Sequence, residues 1–316
     1  MFSFVVAIGD IVLLMFLKKR PFIFLILPGL ILYTLFVVGP IILSIPYSFT
    51  GVVNGGRRIF VGFQNYQLIF TDKFLFPQFL NALKNSILGL LLTYFIVHPI
   101  IIFLAYMIYQ KIKGYQIFQS ILFIPQFINP VALGFMIFLF FSPYTGLYYN
   151  FFKLIGLEKW GITPVWNDPR LGIVLLVIVW TWRGLGYEML LYIANFKMIP
   201  TDLIDAAIID GANEFQRVIK IYFPLLIPTF TTVSVLMFVW TMTAFDVPYI
   251  VGGIQGGIGG SMDMLTLFLY RTVFGSGAYS INFLGMGSAI STVLLILLSV
   301  GAYLIMRALR SRQVDY

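Results

Sequence analysis

Six long apolar runs, roughly at 22–47, 86–109, 117–141, 172–194, 221–245 and 284–306, constrain this chain more than anything else in it. About 20 apolar residues in a helix cross the roughly 30 Å of hydrocarbon in a bilayer, and each run meets that length. A transmembrane β-barrel would instead show alternating segments of about ten residues, and none is visible. Hydrophobic residues make up 60% of the 316-residue chain and charged residues 10%, against roughly 25% charged in a soluble domain. A water-soluble enzyme, a nucleic-acid module and a disordered regulator are all excluded by that surface chemistry. The predicted fold class is therefore all-α, a polytopic membrane protein with six transmembrane helices.

The net charge is +8, but the basic residues sit at the ends of the apolar runs and read as topology signals rather than as a nucleic-acid surface. Lys18-Lys19-Arg20, Lys111 and Lys113, the group from Lys197 to Lys220, and Arg307, Arg310 and Arg312 all fall on one side if six spans are threaded. That side is expected to be cytoplasmic, with the C-terminus on it. Residues 2–17 form a shorter apolar stretch with Asp10 near its centre, read as an interfacial or short membrane-inserted helix. No basic residue precedes it, so it is a poor signal peptide. The opposite loops, 51–78, 142–170 and 252–280, are polar, aromatic and Gly-rich, and a short surface helix is expected near 147–155. There is no Cys, one His and 12 acidic residues. No Ser/His, paired-Asp or His-Glu-x-x-His arrangement is present, so an intramembrane enzyme is the weakest reading.

One polar stretch stands out, residues 199–224 between the fourth and fifth runs. Local rules predict two short helices there. Thr201 is the expected N-cap, with Asp202 favourable at the positive helix end, and Gly211 allows the turn that ends the first helix. The second helix is expected from about Asn213 until Pro224 interrupts it. An exposed helix pair of this kind is either a plain connecting loop or a docking element.

The residues of that stretch, Asp205-Ala206-Ala207, then Asp210-Gly211-Ala212, then Ile221 and Phe223-Pro224, resemble the coupling motif of binding-protein-dependent ABC importers. Asp205 stands where the family has Glu and Phe223 where it has Leu. Other segments resemble the carbohydrate-permease branch similar to the larger maltose-transporter subunit. They are Val61-Gly62-Phe63-Gln64-Asn65-Tyr66, Phe123-Ile124-Pro125 with Asn129-Pro130-Val131, Phe245-Asp246 with Tyr249-Ile250, and Tyr270-Arg271-Thr272-Val273-Phe274. The resemblance implies a permease domain over 21–312, a coupling loop at 199–220, an N-terminal segment 1–20 and a tail 313–316. It implies the type I importer fold. It also implies a second homologous permease, two ATPase subunits that carry the ATP and Mg, an extracellular solute-binding protein and a carbohydrate, expected to be an oligosaccharide. No cofactor is expected on this chain. A permease for a non-sugar solute is the alternative, and a secondary transporter, which would favour inverted repeats and a self-sufficient bundle, is a weaker one.

Polar groups inside the spans are costly and therefore point to function. At 3.6 residues per turn, Trp180, Arg183, Gly184 and Tyr187 share one face of the fourth run, and Met237, Trp240, Thr241 and Ala244 share one face of the fifth. Counted from Ile199-Pro200 and from Pro224, these positions resemble the sugar contacts of the maltose-type subunit. Gly184 and Tyr187 keep the family's residue type and Trp240 keeps an aromatic. Trp180, Met237, Thr241 and Ala244 depart from it. The competing readings are lipid or span packing for the tryptophans, and pairing with Glu188 or reaching for the surface for Arg183. For Asp246 the competing role is at a helix end. His98 is read as a packed polar residue.

Overall fold

The computed structural model describes residues 21–53, 57–163, 165–275 and 283–310. The 2–17 stretch and the tail 313–316 lie outside the described residues. Among those described, five helices are long and apolar enough to cross a bilayer, namely Ile26–Tyr47, Leu75–Tyr109, Gly172–Met198, Glu214–Gly252 and Leu284–Arg310. We call these the first, second, fourth, fifth and sixth spans. A short helix at Leu147–Leu154 occupies the expected surface position. An antiparallel hairpin, Thr50–Val53 against Arg57–Phe60, was not expected from the sequence and sits at the far end of the first span.

The third run departs from a simple span. It is a bent pair, Tyr115–Phe127 and Pro130–Phe140, with an angle of 98° between the halves. The cause is local. Pro130 disfavours helical geometry at Asn129, and Asn129 is extended in ψ (135°) while its side chain accepts from the Val131 amide to cap the second half.

Three other helices absorb proline differently. Wide π-turns at Thr34–Val38, Thr93–Val97 and Val218–Tyr222 each end two residues before a proline, Pro40, Pro99 and Pro224. A proline ring clashes with the carbonyl four residues earlier and removes one ladder bond. The carbonyls concerned, those of Phe36, Phe95 and Lys220, lie inside the wide turns, where the spacing to the ring is relaxed. Pro224 therefore does not interrupt its helix as expected, and the fifth span runs on from the polar stretch without a stop.

The fourth span is the hub, packed against the second and fifth spans and the first half of the third. Tyr192, Phe196, Ile173, Leu176 and Met189 are fully buried along it. The fifth span packs in turn on the sixth, and the sixth on the first. At the end remote from residues 199–217, the loop between the fifth and sixth spans is pinned by a buried ion pair. Arg271 donates to both Asp263 oxygens, at 3.1 and 2.7 Å, and also to Gln78 Oε1 and the Ile254 carbonyl. Asn81 and Asn85 hold the Gly260 carbonyl from the second span. Burial holds the Asp263 carboxyl above its ordinary range, and the Arg271 guanidinium offsets only part of that rise. Asp263→Ala would leave a buried guanidinium without its carboxylate, at a cost of about 3–5 kcal/mol. The expected result is a lower unfolding temperature in detergent, with most of the loss recovered when Arg271→Met is added to Asp263→Leu.

Candidate functional site

A cavity of about 450 Å³ opens between the second, third, fourth and fifth spans. All eight positions singled out on the two helix faces line it, Trp180, Arg183, Gly184 and Tyr187 from the fourth span and Met237, Trp240, Thr241 and Ala244 from the fifth. Helical periodicity placed each set on one face, and the packing of the two spans turns those faces toward each other. Tyr187 and Trp240 meet across the gap with ring centroids 5.8 Å apart.

Arg183 does not pair with Glu188 and does not reach for the surface. Its Nε donates to the Ile128 carbonyl at 3.0 Å, at the break in the third span. The break releases carbonyls that hydrocarbon cannot satisfy, and a guanidinium from the neighbouring helix takes one of them. Arg183 is thus a wall of the cavity and a brace for the bend.

Other polar residues line the cavity beside these eight, and of them Gln126 was not named from the sequence. Glu188 is buried to 6% exposure one turn from Tyr192 and faces the cavity. Gln126 sits on the first half of the third span just before the break, and its Oε1 is buried without a hydrogen-bond partner. An unpaired buried acceptor in a cavity wall is unusual and marks a place where a ligand hydroxyl would be favourable. The signal for Gln126 is the Pro125–Pro130 spacing, which announces a break, because side chains beside a break face the freed space. Asp246 lines the mouth and is also the first residue of the helix Asp246–Gly252. His98 lies deeper, stacked on Phe230 at 4.4 Å and hydrogen-bonded to Tyr192, as a packed polar residue.

The coupling candidates form a separate surface at the other end of the bundle. Thr201–Ile209 is a helix whose cap is Pro200, so Thr201 is its first turn rather than its cap. Gly211 takes φ +79°, its N–H reaches the Ile208 carbonyl, and the Ala212 N–H reaches that of Ala207. This is the Schellman arrangement, which places Gly at the left-handed position. Asn213 and Gln216 then form a capping box that starts the next helix. Asp205, Ala206, Asp210 and Gly211 are exposed, and Ala207 and Ala212 are partly so. Ile209 and Phe215 leave 85% and 72% of their surface open, which gives this end an unpartnered apolar face. Behind it, Tyr106, Tyr109, Phe196 and Tyr222 form one aromatic cluster joining the second, fourth and fifth spans. Gln110 Nε2 donates to Glu214, which pairs with Arg217.

Comparison with known proteins decides the family. Residues 98–315 match the family described as binding-protein-dependent transport system inner membrane component. The chain belongs to this family. It is 30% identical over 290 residues to the probable ABC transporter permease protein YurN of Bacillus subtilis, covering 89% of this chain and 92% of that one. It is 28% identical over 268 residues to the maltose/maltodextrin transport system permease protein MalF of Escherichia coli, covering 81% of this chain and 50% of MalF. Its fold matches a crystal structure of a bacterial alginate ABC transporter in complex with an alginate pentasaccharide-bound periplasmic protein. There the TM-score is 0.72 and the identity 21%, over 92% of this chain and 94% of that one. The chain is thus a membrane-embedded permease subunit of a binding-protein-dependent ABC importer, with the type I importer fold. It is a transporter component, not an enzyme.

Two glycines on the fourth span separate cavity from packing. A Cβ on Gly184 would meet nothing within 4 Å, whereas one on Gly186 would lie 2.6 Å from Phe123 Cα and 2.7 Å from the Leu122 carbonyl. Gly184→Ala is expected to hold or raise helix stability, by up to about 1 kcal/mol. Gly186→Ala is expected to cost about 1–3 kcal/mol by overpacking. Thermal unfolding of the two variants in detergent checks the contrast.

Proposed function

We propose that this permease carries a carbohydrate, an oligosaccharide, through the cavity between its third, fourth and fifth spans. The observation that carries the reading is the cavity wall itself. It combines aromatic faces (Trp180, Tyr187, Trp240), a hydroxyl (Thr241), a charged donor (Arg183) and the unpaired acceptor of Gln126. Sugars bind where flat apolar surfaces meet their C–H faces and a few fixed polar groups meet their hydroxyls. Gly184, Met237 and Ala244 supply room and smooth wall. The names of relatives agree, since MalF is a maltose/maltodextrin permease and the structurally similar transporter imports alginate.

The permease domain covers 21–312 and forms the path with a second, homologous permease. Two ATPase subunits dock on the 199–220 coupling loop, where Asp205, Ala206, Ala207, Asp210, Gly211 and Ala212 present small and acidic surface beside exposed Ile209 and Phe215. That loop and the C-terminus face the cytoplasm, following the basic residues. The solute-binding protein docks at the opposite end, over the loops around 51–78 and 252–275. ATP and Mg bind on the ATPases. ATP-driven closure pushes the coupling helices, and the spans rock between two arrangements that ATP and loaded binding protein bias in turn.

The test is uptake by proteoliposomes holding the complete complex, with binding protein outside and ATP inside, across maltose, longer maltodextrins, alginate oligomers, an amino acid and phosphate. ATP-dependent uptake of a carbohydrate is expected. Gly184→Leu should stop it by filling the cavity while the complex still assembles. Gly211→Val, strained at positive φ by roughly 1–2 kcal/mol, should leave ATP hydrolysis running with little uptake. Uptake of the amino acid or phosphate alone would contradict the carbohydrate reading. Uptake without ATP would contradict the importer mechanism.

A further inference from the structure

Four aromatic rings form an unbroken series from the cavity mouth to the surface of the far loop. Phe245 lines the cavity. It stacks on Tyr249 with centroids 5.2 Å apart and 14° between the planes, and lies 5.0 Å from Tyr270. Tyr249 and Tyr270 are 5.3 Å apart, and Tyr270 is 5.0 Å from Phe274. The first three rings are partly exposed, and Phe274 leaves 67% of its surface open.

Tyr249 lies on the short helix Asp246–Gly252, Phe245 is the residue that precedes it, and Tyr270 and Phe274 lie on Leu265–Phe274, all at the end of the bundle away from residues 199–217. Leu265 and Phe268 are buried on the other face of the second helix, and Leu267 is buried on the same face as Tyr270 and Phe274, one turn inward from them. The segment that carries Tyr270 is anchored. Arg271, next to Tyr270, is fixed by both Asp263 oxygens, by Gln78 and by the Ile254 carbonyl. Rigid aromatic surface is what a weak, mobile contact needs, because little side-chain entropy is lost when a ligand passes.

We propose that Phe274, Tyr270, Tyr249 and Phe245 form an entry track for a carbohydrate chain, leading it from the binding-protein side into the cavity. The proposal rests on the carbohydrate reading. The spacing between rings is close to the length of one pyranose unit, so a chain can pass from ring to ring by its C–H faces. The two tyrosine hydroxyls bond to each other and can exchange that bond for one to a passing sugar hydroxyl. The track extends the site outward, so it matters for a long chain and not for a short one that fits the cavity alone.

The experiment measures the maximal uptake rate of the full reconstituted complex, with saturating loaded binding protein, for the shortest and longest members of the sugar series that the wild type transports. Tyr270→Ala and Tyr249→Ala should lower the long-chain rate about two- to tenfold, the scale on which an aromatic side-chain pair contributes, and leave the short-chain rate within about twofold. Tyr270→Phe should keep most of the long-chain rate, since the ring remains. Equal loss for both lengths would show a structural role and overturn the track, as would no loss for either length, or a Phe variant as poor as the Ala variant. If the wild type takes up no carbohydrate at all, the carbohydrate reading falls and the track with it. That result is distinct, because it is seen before any variant is made.

Discussion

A bilayer leaves backbone carbonyls and amides no water to bond, so every departure from a straight helix must be satisfied by the protein itself. The hydrogen bond from Arg183 to the Ile128 carbonyl is the most consequential answer to that constraint here. Pro130 breaks the third span, Asn129 caps the half that follows, and Arg183 takes a carbonyl of the half that precedes. The bend moves the second half of the third span aside, against the Asp246–Gly252 helix. The space released is the cavity, walled by the same arginine that makes the bend tolerable.

The cavity is joined by continuous helices to the surface at 199–217 that is proposed to meet the ATPases. The fourth span runs without a break from the cavity to Met198, two residues before Pro200, and the fifth runs from Glu214 to the cavity mouth. The π-turn at Val218–Tyr222 lets that second connection pass Pro224. Where the two spans leave the bundle, Tyr106, Tyr109, Phe196 and Tyr222 clasp them together, and Gln110 ties the second span to Glu214. A push on the Thr201–Ile209 helix is therefore delivered to packed side chains rather than lost in a loop. Closely packed helices shift between discrete arrangements instead of deforming gradually, and a two-state transporter requires that behaviour.

Much of this was legible from residue order. Apolar run length located the long helices, and the Gly211–Asn213 punctuation located the turn between the two short helices, because capping and left-handed glycine are local physics, whereas Thr201 proved to lie in the first turn and not at the cap. Helical periodicity grouped each set of four on one face, and the family resemblance pointed to those faces as the solute side. What was not legible depends on neighbours far along the chain. The 98° bend needed Asn129-Pro130 to be read as a break inside an apolar run rather than as part of a span. The partner of Arg183 lies 55 residues away, so no local rule could replace the pairing with Glu188 by the bond to Ile128. Gln126 depended on the same break, which the Pro125–Pro130 spacing signals, because only the break turns it toward open space. The continuation through Pro224 depended on a wide turn that apolar composition does not encode.

The central claim is that ATP on the partner subunits changes which side of the membrane the cavity faces. The chain contains no Cys, so a single Thr243→Cys at the cavity wall can be labelled specifically. In the reconstituted complex, a membrane-impermeant thiol reagent is applied to one face or the other, and only adducts on this chain are counted. The account predicts labelling from the coupling-loop side without nucleotide, and from the opposite side when ATP is trapped with loaded binding protein. Labelling that stays on the same side in both states would contradict it.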